Sequence, residues 1–150
     1  MRYTRNVLIL IILFFLQFGC ENTSAPAPPG LSYSTTKFQY KATDTIKTVL
    51  WNGESDTVML VWCDRLFYTV QYYDTAWQTI HLPWWDCIVD HEPLGHNNSK
   101  TYTFDIESYA SFSPGIYRLG ISYLSEEEWR IYGQFQEWHM IYTNSFSIIR

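Results

Sequence analysis

Basic charge is scarce in this chain of 150 residues, where ten Lys and Arg stand against fifteen Asp and Glu. A surface with that balance repels phosphate backbones and anionic head groups, which argues against nucleic acid as a partner. Glycine is also sparse, at seven residues, and none of them builds a phosphate-cradling loop or a dinucleotide fingerprint. No serine-hydrolase elbow is present. The longest apolar stretch falls short of the roughly 20 residues of a bilayer-spanning helix. No window keeps apolar residues at helical spacing for three turns, and no internal repeat is visible. Cysteine occurs only as Cys20, Cys63 and Cys87. No set of acid, base and nucleophile can be assembled, so the expectation is a protein that binds and does not catalyse, with no cofactor.

What is present begins at the N-terminus. Arg2 and Arg5 give a positive start, residues 7–18 are apolar apart from Gln17, and Gly19 sets a small residue before Cys20. This architecture resembles a bacterial lipoprotein export signal. An uncleaved membrane helix and an ordinary secretory signal with an incidental cysteine are the alternatives. The resemblance implies cleavage before Cys20 and diacylglycerol on its thiol. Each buried methylene contributes about 0.8 kcal/mol, so two or three acyl chains hold firmly where one is marginal. Glu21 replaces the aspartate usually read as an inner-membrane retention signal. The expected location is therefore the cell envelope, lipid-anchored, with the outer membrane favoured, on its periplasmic side or at the cell surface.

Residues 1–19 thus read as signal peptide and 20–30 as the lipidated Cys20 with a Pro-rich tether that lacks any large apolar side chain. Residues 31–150 are enough for one domain and too few for two. From Cys20 onward eight basic side chains face fifteen acidic ones, a net charge of −7. The lipid, and no basic patch, must then supply membrane affinity. The dense run Glu126-Glu127-Glu128 reads as a solvated hairpin tip.

The domain reads as all-β. Segments rich in Val, Ile, Thr, Tyr, Phe and Trp, bounded by turn residues, fall at 37–42, 45–51, 57–63, 67–73, 77–82, 101–106, 116–124 and 140–149. Asn52-Gly53 is a tight-turn signal. Seven or eight strands in this length predict a two-sheet antiparallel sandwich. Tyr117, Leu119, Ile121 and Tyr123 alternate with Arg118, Gly120 and Ser122, which sends the first set into the core. Met140, Tyr142, Phe146 and Ile148 repeat the pattern, with Asn144 breaking the row. These two strands are expected to pair in the centre of one sheet.

The run Ser113-Pro114-Gly115-Ile116-Tyr117-Arg118-Leu119, followed by Thr143-Asn144-Ser145-Phe146-Ser147-Ile148, is similar to the end of immunoglobulin-like domains of uncharacterised bacterial envelope lipoproteins. The resemblance covers about the last 40 residues and, more loosely, 45–63. It implies a single immunoglobulin-like sandwich in which the Tyr117 hydroxyl bonds back to the preceding turn as a tyrosine corner. Arg118 would face out or cover the sheet edge.

With Cys20 assigned to lipid, Cys63 and Cys87 remain in an exported domain, where a disulfide is the default. They lie 24 residues apart, and such a bridge contributes about 3 kcal/mol in the chain-entropy account. A nucleophilic cysteine with His81 or His91 as base is disfavoured, because Asp64, Asp86 and Asp90 are acidic neighbours that raise a thiol's pKa. Asp86, Asp90, His91, Glu92 and His96 share one polar stretch, but their spacing matches no defensible metal site, so none is expected.

The aromatic load, 19% of the chain, is what a plain sandwich explains least. Trp84 and Trp85 are adjacent and cannot fill the same core layer. Trp129, Tyr132 and Trp138 lie in the long connection 125–139. Trp84, Trp85, Trp129, Tyr132 and Trp138 are the candidate binding surface, for an envelope protein or for a glycan, although packing on the body is the first reading for the aromatics of 125–139. The leading expectation is a protein-interaction module. Polysaccharide binding and a proteinase-inhibitor-like role are the alternatives.

Overall fold

The computed structural model describes residues 30–63, 65–81, 89–105, 112–132 and 138–150, with backbone alone for Cys63, Arg65 and Tyr132. Among them are twelve strands: β1 (Gly30–Thr35), β2 (Gln39–Lys41), β3 (Thr45–Gly53), β4 (Val58–Cys63), β5 (Arg65–Leu66), β6 (Tyr68–Asp74), β7 (Ala76–His81), β8 (Asp90–Leu94), β9 (Asn98–Asp105), β10 (Gly115–Ser125), β11 (His139–Tyr142) and β12 (Phe146–Ile149). One helix, α1 (Glu126–Tyr132), follows β10. The chain is all-β and sandwich-like, as the segment pattern predicts. Strands β1, β3 and β9 form a small sheet, and the other nine form a large one.

The small sheet is set by β3, whose burial alternates strictly along its nine residues. Ile46, Thr48, Leu50 and Asn52 point inward, as period-two geometry requires. Opposite them, β10 organises the large sheet because it is long enough to pair with two strands on each edge. Tyr117 faces Phe146 of β12 on one side and Tyr72 of β6 on the other. Further along, Tyr123 faces His139 of β11 and Leu60 of β4. Tyr117, Leu119 and Ile121 therefore stand in the centre of the core with Val70, Phe146 and Ile148. Tyr68 and Phe104 join the two sheets edge to face, their centroids 4.6 Å apart. All described pairings are antiparallel except β2 beside β12, a short parallel edge.

The large sheet is covered on part of its other face too. Val61, Phe67 and Leu124 are buried but lie outside the main core cluster, and α1 packs on β4 and β10 above them. The helix starts where Ser125 and Glu128 form a capping box: Ser125 Oγ accepts from Glu128 N at 3.1 Å, and Glu128 Oε2 accepts from Ser125 N at 2.8 Å. The triplet Glu126-Glu127-Glu128 is thus a helical first turn and not a hairpin tip. Three carboxylates favour the positive end of the helix dipole.

Asn52 also departs from its expected role. The strand runs through Gly53, and β4 belongs to the other sheet, so Asn52-Gly53 closes no hairpin. The buried Asn52 side chain instead donates to the carbonyls of Asp56 and Leu94 and accepts from Glu54 N. It ties the inter-sheet crossing to the end of β8. The same end of the fold receives the chain at Gly30, where Leu31 N donates to Glu54 Oε1 at 3.3 Å. A shallow groove beside it is lined by Asp56, Ser125, Glu126, Glu127 and Arg130.

The break at Asn144 is a β-bulge. Between Tyr117 and Gly120 there are three steps along β10, whereas their partners Phe146 and Tyr142 are four apart. One extra residue reverses the facing, so Phe146 and Ile148 enter the core while Met140 and Tyr142 lie on the outer face. This corrects the single inward row expected for 140–149.

Candidate functional site

Cys20, Trp84, Trp85 and Cys87 lie outside the described residues, so the lipidation site, the Cys63 to Cys87 bridge and two of the candidate tryptophans fall there. Cys63 ends β4, its backbone paired with Arg65. Tyr132 ends α1. Trp129 and Trp138 are both half-buried and engaged in packing. The Trp129 ring lies 3.6 Å from the His91 ring, tilted by 31°, and Trp138 meets Phe67 edge-on at 5.5 Å. Together with α1 they roof the second apolar layer.

The polar stretch around His91 is spent on structure. Both His91 ring nitrogens are buried without a hydrogen-bond partner among the described residues, and burial lowers the imidazole below its ordinary 6.5 against the opposing pull of Asp90. Glu92 accepts from Tyr102 at 3.1 Å and pairs with Lys100 at 2.6 Å. Burial, then Glu92, raises the Tyr102 phenol. His96 bonds Glu54 O and the Asn97 side chain. His81 stacks near Tyr68 at 5.4 Å. Among the described residues no group of three His, Cys, Asp or Glu could hold a metal, and no helix is long and apolar enough to cross a membrane.

Tyr117 donates to Ser113 O at 2.6 Å, so its ring spans the core while its hydroxyl fixes the turn before β10. Burial raises this phenol, and the Ser113 bond opposes the shift.

The outer face of the large sheet, away from α1, carries a different arrangement. Alternation along β10 puts Ile116, Arg118 and Gly120 there, beside Gln71 and Tyr73 of β6, Trp77 and Thr79 of β7, and Met140 and Tyr142 of β11. The Arg118 guanidinium sits between two rings, its Cζ 4.3 Å from the centroid of Trp77 and 4.0 Å from that of Tyr142. Its Nε donates to Gln71 Oε1 at 2.7 Å. Gln71 Nε2 in turn donates to Thr79 Oγ1 at 3.1 Å and reaches the Tyr142 hydroxyl at 3.4 Å. Tyr142 therefore lies across β10 and over Gly120, where an added Cβ would come within 2.7 Å of its ring and of Thr69 Oγ1. Glycine is needed here for close approach. Around this stack Tyr73, Ile116 and Met140 remain 44%, 46% and 37% exposed, and Tyr73 meets Trp77 edge-on at 5.2 Å.

Sequence reasoning placed Arg118 and Gly120 outward but did not assemble this face. The usable signal was the outward row of β10 itself; its neighbours from β7 and β11 depend on sheet order and on the bulge, which composition does not reveal.

No family model matches the chain, and no curated protein matches it. Among solved structures, a mutant β-glucosidase from Listeria innocua in complex with laminaribiose is similar at a TM-score of 0.35 and 11% identity, over 80% of this chain and 16% of that one. At that level the likeness carries no argument about this chain, which spans about a sixth of the other's length.

Proposed function

We propose that this chain is an exported, lipid-anchored envelope protein that acts without catalysis and docks a protein partner on the outer face of its large sheet. The observation that carries the reading is the make-up of that face. Tyr73, Trp77, Arg118, Met140 and Tyr142 are the residue types enriched at interface centres, and Lys, Glu and Asp are depleted there. Tyr73, Ile116 and Met140 give up exposed apolar area on docking. The rings lose little conformational entropy, since each is already held by its neighbours. The expected surface around Trp129 and Trp138 is the poorer candidate, because those side chains are spent on the roof over Val61, Phe67 and Leu124.

The test is a photo-crosslinking side chain placed singly at Tyr73, Ile116 and, on the other sheet, Lys47, in cells that export the full chain. Adducts of one discrete mass at Tyr73 and Ile116, absent at Lys47, are expected. Equal labelling at all three positions, or none, refutes the docking face. The anchor is tested apart from it by intact mass from the membrane fraction, with Cys20→Ser as control. Loss of residues 1–19 with added lipid mass is expected in the unaltered chain alone.

A further inference from the structure

We infer that Arg118 is the point at which this face takes a carboxylate from its polypeptide partner, an inference that rests on the docking face proposed above. Arg118 is a cation without a counter-ion: among the described residues the ion pairs are Lys100 with Glu92 and His139 with Glu128. In a chain with fifteen acidic side chains, this arginine has no carboxylate partner among the described residues. Its only protein hydrogen bond among the described residues is Nε to the neutral Gln71.

The surroundings set the direction of approach. Trp77 comes from β7 and Tyr142 from β11, on opposite sides of β10, and each brings a ring centroid to within 4.3 and 4.0 Å of the Arg118 Cζ. Gln71 holds the Nε edge. The two terminal nitrogens, which point along the plane of the group, make no hydrogen bond among the described residues. A carboxylate meets a guanidinium in that plane, with two parallel hydrogen bonds. Stacking and the Gln71 bond also fix the side chain before the ligand arrives, which lowers the entropic cost of binding.

The ligand group is therefore a carboxylate flanked by apolar surface that covers Tyr73 and Ile116, as an Asp or Glu in an extended segment would be. A uronic acid carries the same group. A saccharide would leave the exposed aliphatic side chains of Ile116 and Met140, at the two ends of this face, without a complement, which favours the polypeptide.

The experiment is a titration of the isotope-labelled protein, followed by the side-chain nitrogen and carbon resonances of Arg118. Three probes are compared at constant ionic strength: a hexapeptide containing glutamate and leucine, its glutamine counterpart, and trigalacturonate. Saturable shifts with the glutamate peptide, at least tenfold weaker binding by the glutamine peptide, and at least tenfold loss in Arg118→Lys are expected. Lysine keeps the charge but loses the planar fork. Equal response to both peptides, no shift at Arg118, or tighter binding of trigalacturonate overturns the inference. The comparison of probes on the unaltered chain stands even if the variant folds poorly. Crosslinks at Tyr73 and Ile116 that persist at full yield in Arg118→Lys overturn the carboxylate while leaving the docking face intact. Absence of those crosslinks in the unaltered chain is instead the failure of the docking face.

Discussion

Asn144 holds Thr35 by two bonds across 109 positions of sequence: its Oδ1 accepts from Thr35 N at 2.9 Å and its Nδ2 donates to Thr35 Oγ1 at 2.8 Å. One side chain thus ties the end of the small sheet to the bulge of the large one. The bulge is pinned from its other side by Thr143, whose backbone N donates to Leu119 O at 2.8 Å and whose Oγ1 accepts from Leu119 N at 3.1 Å.

Replacing Asn144 with Ala is expected to cost about 1–3 kcal/mol, because the part-buried Thr35 amide is left without its acceptor. Asn144→Asp keeps that acceptor and loses the donated bond, so its cost should be smaller. Denaturant unfolding of the two variants tests this order.

Gly120→Ala sets a methyl group against Tyr142 and Thr69. Overpacking of this kind costs about 1–3 kcal/mol. The specific expectation is that Tyr142 lifts from the sheet and releases Arg118, so the Arg118 resonances broaden while the core signals of Leu119 and Ile121 stay in place. A wholly unchanged Arg118 spectrum would contradict the stack.

The start of α1 should be sensitive to acid. The Glu128 carboxyl is held down to about 2 from its ordinary 4.5, first by the Ser125 amide, then by His139 and the Ser125 hydroxyl. A lowered folded pKa gives stability that is full above 4.5 and lost as pH falls towards 2. Glu128→Gln should remove that slope, and Ser125→Ala should cost about 0.5–2 kcal/mol as a lost cap. Melting curves between pH 5 and pH 2.5 distinguish the two variants, since the second lowers stability at every pH.

His91 gives a second window, at higher pH. Its folded pKa lies below the ordinary 6.5 because burial under Trp129 disfavours the charged ring. The unfolded chain therefore binds the proton first, and stability is full above 6.5 and falls as pH drops below it. His91→Phe, which keeps a ring against Trp129, should flatten the difference in melting temperature between pH 7.5 and pH 5.5. An unchanged difference would assign that pH response to other groups.

Much of the fold is legible in single strands. The alternation of β3 and β10 fixes which side chains face the core, whereas the alternation of 140–149 marks strand but does not show the bulge that turns Met140 and Tyr142 outward. The helix was hidden for a different reason: two turns are too short for a periodic signal, although Ser125 and Glu128 spell its capping box in sequence. Strand β8 reads as a polar loop because it carries Asp90, His91, Glu92 and Pro93. Its hydrogen bonds to β4 run along one edge, and its His91 and Glu92 find partners that composition does not announce. The outer face was illegible for a topological reason. Trp77, Arg118 and Tyr142 sit 41 and 24 residues apart, and only the order β7, β6, β10, β11 makes them neighbours.

Gly30 enters the fold beside Gly53, at the end that gathers Glu54, Asp56, Glu126 and Glu127. Under the proposed anchor at Cys20, ten steps of chain separate that end from the bilayer, a reach of at most roughly 35 Å. Carboxylates pointing at an anionic leaflet resist approach to within about 8 Å at physiological salt. The leash and the repulsion act in opposite senses, one setting the farthest and the other the nearest height of the domain. With that anchor the domain would be confined between those two heights, its Gly30 end towards the lipid.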